Sequence, residues 1–170
     1  TGALVGSPAH MAPEIIEGEE ASAAADIFSL GTMLYLFLTG KLPFTAPNTT
    51  ATLKRIVDCV YDDPRQLVST ISDDLADIIH TCLARAPAQR YESASKLRDA
   101  LFDYLSKLAL VPPSDELRSF FADPRSYRSK IADRLVTRRL TQVDELIAQQ
   151  KTAAALSILN LILANDPQNE

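Results

Sequence analysis

The segment from Asp26 to Leu38 restricts the fold of this chain more than any other part of the sequence. Its apolar residues cover nearly all sides of a helix, and Gly40 follows as a residue suited to a left-handed C-terminal cap. Ser22 is a candidate N-terminal cap for the same helix. Because such a helix cannot face water along its length, we predict that it lies in the middle of a helical core.

Three other stretches repeat apolar residues at helical spacing and predict helices with one buried side. They are Leu53–Val60, Leu75–Leu83 and Leu97–Leu108. Asp62, Asp63 and Pro64 are expected to stop the first stretch, and Ser72 is expected to cap the second. No part of the chain has a strong strand pattern, so the sequence predicts an all-α chain.

The stretch Val111–Asp115 carries the densest turn signal and predicts a boundary. We expect a first domain over residues 1–110, a linker and helix over residues 111–135, and a helical hairpin over residues 136–170. The apolar spacing after the boundary favours one or two helices before residue 148 and a last one around Leu159.

The acidic balance of the chain argues against nucleic acid as a partner. Its net charge is -5 and its isoelectric point is about 5.0, which would repel a phosphate backbone. The basic cluster Arg134–Arg139 is interpreted as a solvated helix face.

The sequence predicts neither a membrane span nor a metal site. The longest apolar run, Ile27–Leu38, is interrupted and too short for a bilayer, and no charged and apolar leader opens the chain, so we expect a cytoplasmic location. Cys59 and Cys82 have no ligand neighbours at metal spacing and are expected to be reduced. Because Thr1 is not methionine, we expect the reading frame to begin upstream.

A series of short motifs resembles one known family. The stretch Gly6–Glu14 reads Gly-Ser-Pro-Ala-His-Met-Ala-Pro-Glu and resembles the end of a protein-kinase activation segment, which closes with Ala-Pro-Glu. Further matches follow in the order and spacing of the later kinase helices: Asp26–Gly31, Leu38–Phe44, Ser72–Leu83, Ala86–Arg90 and Ser93–Leu97. Residues 1–108 thus resemble the C-terminal lobe of a bacterial-type serine/threonine protein kinase.

The resemblance implies roles for individual residues. Ser7 and Pro8 stand in the P+1 segment, which binds the protein substrate, and Ser7 replaces the usual threonine. Thr1 matches a position where related kinases carry an activating phosphothreonine. His10 stands where tyrosine is common, and the sequence offers no chemical reason for this difference.

Three further residues are implied to be structural anchors. Glu14 is expected to pair with Arg90 and to hold the activation segment against the helical base. Asp26 matches an aspartate that accepts backbone N–H groups of the catalytic loop.

The motifs for phosphoryl transfer are missing from this chain. It has no Gly-rich phosphate loop, no His-Arg-Asp and no Asp-Phe-Gly, so no residue here is expected to be catalytic or to bind ATP or Mg²⁺. The parent kinase would use ATP and Mg²⁺ to phosphorylate proteins, and the isolated chain is expected to be poorly soluble and inactive. The alternative is a noncatalytic pseudokinase or a helical protein-interaction module.

The tail carries a weaker resemblance to a tetratricopeptide repeat. Ala155, Leu156, Leu159 and the stretch Asp166–Asn169 match the second helix and exit turn of that repeat. Val143 and Ile162 are larger than the repeat prefers, and a plain helical extension is the other interpretation. Either way, the C-terminal helices are a possible contact for protein partners.

Overall fold

The computed structural model describes residues 8–165, and these residues contain helices and no β-strand. The α-helices are α1 (Pro13–Ile16), α2 (Ala23–Thr39), α3 (Thr49–Val57), α4 (Pro64–Leu67), α5 (Asp73–Cys82), α6 (Ala94–Lys107), α7 (Pro113–Ala122), α8 (Pro124–Ala148) and α9 (Thr152–Asn165). Two short 3₁₀ turns, Pro8–His10 and Pro87–Gln89, complete the set for this range. The all-α prediction is confirmed for the described residues.

The chain divides into two compact units between Ala100 and Leu101, inside α6. The expected domain limits at residues 110 and 135 stay a prediction. In the first unit α2 packs against α4, α5 and both 3₁₀ turns, while α3 packs against α1 and the Pro8–His10 turn.

Helix α2 lies in the core as its composition predicts, but only one of its sides is buried. Ile27, Phe28 and Tyr35 are each at most 1% exposed. The helix ends at Gly40, whose φ of 72° is left-handed and whose N–H donates to Leu36 O at 2.8 Å. Ser22 stands at the N-cap but its hydroxyl makes no capping bond, because the first turn is closed by the backbone bond from Ala25 N to Ser22 O.

Aromatic rings fill the centre of the first unit. The Phe28 and Phe44 rings stack with centroids 5.7 Å apart, and Tyr61 meets the edge of Phe44 at 5.4 Å. Tyr61 also contacts Tyr35 edge-on, and the Tyr35 hydroxyl donates to Asp62 O at 2.9 Å. The loop after α3 is thereby held against α2.

Helix α3 is shorter than its apolar pattern predicts. It ends at Val57, and Val60 lies outside it with 55% of its surface exposed. Cys59 has φ of 49°, a left-handed conformation that ends the helix before the expected stop at Asp62. Asp63 does not end α3 but begins the next helix. Its carboxylate accepts from Arg65 N and caps α4.

The second unit contains α7, α8 and α9. Helices α8 and α9 form a helical hairpin with a three-residue connection. The stretch after the boundary and before residue 148, for which the sequence favours one or two helices, contains α7 and α8. Arg138 Nε and Gln142 Nε2 both donate to Lys107 O at 2.9 Å. The expected solvated face is wrong for Arg139, which is only 8% exposed, because α8 turns it toward the inside of this unit.

No helix in the described part of the chain combines the length and the apolar composition that crossing a membrane requires.

Gly31 allows α2 and α5 to approach closely. A Cβ atom at Gly31 would lie 2.6 Å from Cys82 Cβ and 3.0 Å from Leu83 Cδ2. The Cys82 atom is fixed directly to its backbone and cannot rotate away. The helices can therefore keep their spacing only with glycine at this position.

We predict that Gly31→Ala destabilises the protein, although alanine favours helices over glycine by about 1 kcal/mol. The steric overlap should lower the free energy of unfolding by about 1–3 kcal/mol, as overpacking of a core does. Urea unfolding of the wild type and the variant measures the difference. An unchanged or higher stability would show that α2 and α5 are not in this contact.

Candidate functional site

A fully buried ion pair joins α1 to the turn before α6. Arg90 Nη1 donates to Glu14 Oε1 at 2.7 Å, and Arg90 Nη2 donates to Glu14 Oε2 at 2.8 Å. The exposed fractions of the two side chains are 0% for Arg90 and 5% for Glu14. This bidentate geometry is the strongest form of a carboxylate–guanidinium contact.

All five donors of the Arg90 guanidinium have an acceptor. Beyond the two bonds to Glu14, Nε donates to Ala84 O at 2.8 Å, Nη1 to Ala24 O at 2.9 Å and Nη2 to Arg85 O at 3.0 Å. The guanidinium carbon lies 4.9 Å from the centroid of the Phe28 ring. One side chain thus ties together α1, the first turn of α2 and the loop after α5.

The pair stays ionised despite its burial. Burial alone raises the pKa of Glu14, but the hydrogen bonds and charge of Arg90 outweigh it, so the pKa of Glu14 lies below its ordinary value. A carboxylate in this state contributes stability above its unfolded pKa and loses that contribution as the pH falls.

The Pro8–His10 turn is fixed to α2 by two side-chain contacts. His10 Nδ1 lies 2.6 Å from Thr32 Oγ1, and the Ser29 hydroxyl donates to His10 O at 2.8 Å. The Thr32 hydroxyl donates to Ser29 O at 2.7 Å, so its oxygen accepts from His10 Nδ1–H. His10 therefore positions this turn.

The sequence could not predict the partner of His10. Thr32 lies in an apolar helix and is fully buried, a setting in which threonine usually bonds only to its own helix. The sequence offers one signal, because Thr32 is a polar residue close to Ser29 in a helix that is mostly apolar. That signal indicates a buried polar contact but not which residue makes it.

Asp26 begins an exposed stripe on α2. Its side chain is exposed, and within residues 8–165 no hydrogen bond or ion pair to its carboxylate is present. Leu30, Met33 and Phe37 follow at helical spacing and are 39%, 41% and 73% exposed. The helix thus has one partly uncovered apolar side in the described structure.

The remaining sequence-predicted residues are at the start of the chain. Ser7 and Thr1 lie outside the described residues, and Pro8 is the first residue of the 3₁₀ turn. Between residues 8 and 165 no three His, Cys, Asp or Glu side chains come together as a metal site would require.

The family model that describes the protein kinase domain matches residues 1–102. This chain belongs to the protein kinase family. Its helical fold is that of the C-terminal lobe of a kinase domain, and kinases of this family act on proteins with ATP and Mg²⁺.

Similar proteins include a kinase named for tyrosine and a kinase named for serine and threonine. The tyrosine-protein kinase MasK of Myxococcus xanthus is 34% identical over 136 residues, which cover 77% of this chain and 21% of that protein. The serine/threonine-protein kinase PkaB of Streptomyces coelicolor is 39% identical over 113 residues, covering 66% of this chain and 26% of that protein. The chain thus spans about a quarter or less of the length of these relatives.

A solved structure titled titin kinase and its flanking domains has the same fold over part of this chain. The TM-score is 0.52 at 27% sequence identity, and the match covers 56% of this chain and 17% of that one.

We predict that Glu14→Gln destabilises the kinase lobe severely. The substitution leaves the Arg90 charge buried without a counter-charge, which should lower the free energy of unfolding by about 3–5 kcal/mol. Glu17→Gln is the matched control, because the Glu17–Arg85 pair is at the surface, where such a pair contributes about 0–1 kcal/mol. Urea unfolding at neutral pH measures both.

The Glu14–Arg90 pair also makes the free energy of unfolding depend on pH. Since the pKa of Glu14 is lowered in the folded protein, the difference between wild type and Glu14→Gln should shrink as the pH falls below the unfolded value of about 4.3. A difference that stays constant between pH 7 and pH 3 would contradict an ionised Glu14.

Proposed function

We propose that this chain is the C-terminal lobe of a serine/threonine protein kinase, from the end of the activation segment onward. The complete protein would transfer the γ-phosphate of ATP to serine and threonine hydroxyls of protein substrates. The observation that supports this best is the Glu14–Arg90 pair, because it connects the first and later motifs of the kinase resemblance with every donor satisfied. A helical module without this ancestry would have no need of that pair.

The proposed substrate-binding segment is Ser7–Pro8. Pro8 begins the turn that His10 fixes to α2. Ser7 keeps a hydroxyl where the family usually carries threonine, which favours a serine or threonine acceptor. Thr1 is proposed as the activating phosphorylation site.

The exposed stripe of α2 supports the proposal that the lobe is incomplete by itself. Leu30, Met33 and Phe37 form an apolar side that water does not stabilise. We infer that an earlier part of the kinase domain covers this side and supplies the groups that bind ATP and Mg²⁺. Asp26, at the start of the same stripe, would then accept backbone N–H groups from that part.

The helical hairpin α8–α9 is proposed as a repeat-like module for protein partners. Leu156 and Leu163 are 55% and 49% exposed, which leaves apolar surface on α9 available for contact.

A cytoplasmic location is proposed for the protein. The free thiols of Cys59 and Cys82 support it, because a reducing compartment keeps cysteines in this form.

The direct test is phosphate transfer by the full-length protein. Incubation with Mg-ATP and a peptide library that contains serine, threonine and tyrosine, followed by mass spectrometry, should show phosphate on serine and threonine. Chelation of Mg²⁺ should abolish the signal. Phosphate on tyrosine alone would overturn the proposed acceptor class, and no transfer by a folded protein would favour a noncatalytic interaction module.

We predict that Phe37→Gln makes the isolated chain associate less with itself and makes the full-length kinase less stable. It should reduce self-association of residues 1–170 in sedimentation experiments, because it removes exposed apolar surface. In the full-length protein it should lower the free energy of unfolding by about 3–5 kcal/mol, as the loss of a core aromatic does.

Phe121→Gln is the matched control for that experiment, because Phe121 is 75% exposed and Phe37 is 73% exposed. It should change the full-length stability by about 0.5 kcal/mol or less, as a surface substitution does. Equal effects of the two substitutions in the full-length kinase would show that nothing covers the α2 stripe. Tight binding of Mg-ATP by the isolated chain would show that the lobe needs no other part.

A further inference from the structure

Arg139 is a buried cation without a counter-charge in the described part of the chain. It belongs to α8, and only 8% of its surface is exposed. Between residues 8 and 165 its guanidinium makes no hydrogen bond and no ion pair. Burial of N–H donors and of a positive charge is strongly unfavourable unless acceptors replace the lost water. The described structure therefore contains the cation of an ion pair but not its anion.

The two other arginines in the cluster Arg134–Arg139 do have partners. Arg134 Nη2 donates to Glu116 Oε1 at 2.8 Å, and Arg138 Nε donates to Lys107 O at 2.9 Å. Their side chains are also more exposed, at 50% for Arg134 and 36% for Arg138. Among these three arginines, the one that lacks an acceptor is thus the one that α8 buries most deeply.

The guanidinium of Arg139 is charged and can be reached from outside. Burial lowers the pKa of Arg139, and Tyr104 on α6 is the described group whose charge counters this effect. Arginine nevertheless stays protonated at neutral pH. No side-chain nitrogen in the described residues is both fully buried and without a partner, so the Arg139 nitrogens keep contact with solvent. An anion can therefore approach them.

Exposed apolar side chains follow Arg139 on α8. Leu140 is the next residue, and Ile147 lies seven residues after Leu140, so both point to one side of the helix. Leu140 is 46% exposed and Ile147 is 57% exposed. A deep cation beside apolar surface is complementary to a segment that presents one acidic residue among apolar ones.

We propose that Arg139 binds the carboxylate of one aspartate or glutamate of a partner protein, while Leu140 and Ile147 contact apolar residues beside that acid. One guanidinium matches a carboxylate in charge and in its two oxygens. A phosphate group carries about two charges and is best bound by a cluster of arginines, which is not present here. The inference rests on the proposed partner-binding role of the α8–α9 hairpin and names the chemistry of the partner.

The first test asks whether Arg139 lowers the stability of the hairpin. In the full-length protein, Arg139→Met removes the buried charge and keeps an apolar stem, so it should slow amide hydrogen exchange in α8 and α9 by about tenfold. Arg138→Met is the matched control. It removes the same charge and the bond to Lys107 O, so it should not slow exchange. Mass spectrometry measures both variants.

Faster exchange in Arg139→Met would mean that Arg139 already has a counter-charge within the protein, and the proposal would be wrong. Sedimentation of the full-length protein examines a second occupant. If Arg139→Met converts a dimer into a monomer, the acid belongs to another copy of the chain and not to a partner protein.

The binding test uses short random peptides selected on the full-length protein. Peptides that bind the wild type and Arg138→Met but not Arg139→Met should share one aspartate or glutamate among apolar residues. Exchange of that acid for its amide should weaken binding to the wild type by about thirtyfold or more. The same exchange should cause no further loss on Arg139→Met, because the partner of the acid is already absent.

The remaining outcomes separate the anchor from the hairpin. An acid whose exchange weakens binding equally with and without Arg139, or tighter binding when phosphoserine replaces it, would overturn the carboxylate site. If Arg139→Met releases no peptide but Leu156→Gln or Leu163→Gln does, the anchor fails and the partner-binding hairpin stands. If none of the three substitutions releases a peptide, the proposed role of the hairpin fails as well.

Discussion

The lobe depends on one ion pair that is removed from water. The side chains of Arg90 and Glu14 are 0% and 5% exposed, and burial of either charge alone would be strongly unfavourable. The structure accommodates them because the carboxylate and three backbone oxygens together use every donor of the guanidinium. As a result α1, the start of α2 and the loop after α5 must keep one arrangement, since a shift of any of them would leave a buried polar group without a partner.

The proposed substrate segment is built on the same base. Helix α2 holds the Pro8–His10 turn through Thr32 and Ser29, and its Gly31 packs closely against the side chains of Cys82 and Leu83. Tightly packed helices transmit displacement, so the position of the turn depends on contacts far from it. The exposed stripe of α2 is the opposite case, because it has the composition of a core but is only partly covered by the described residues.

Much of the candidate site was predictable because its residues belong to motifs with fixed spacing. The family resemblance implies the pairing of Glu14 with Arg90, and the structure contains that pair. The composition of α2 predicts a core helix, and one side of it is buried. The contact of His10 with Thr32 was not predictable, since His10 differs from the family pattern and its partner is 22 residues away.

The sequence by itself determined where most helices lie, because apolar periodicity and caps such as Gly40 and Ser72 act over a few neighbouring residues. It also determined the family, through short motifs that keep their order. Tertiary structure alone decided that Arg139 is buried and that Gly31 contacts Cys82. Both depend on distances between residues far apart in the chain, and such distances are set only when whole helices pack against one another.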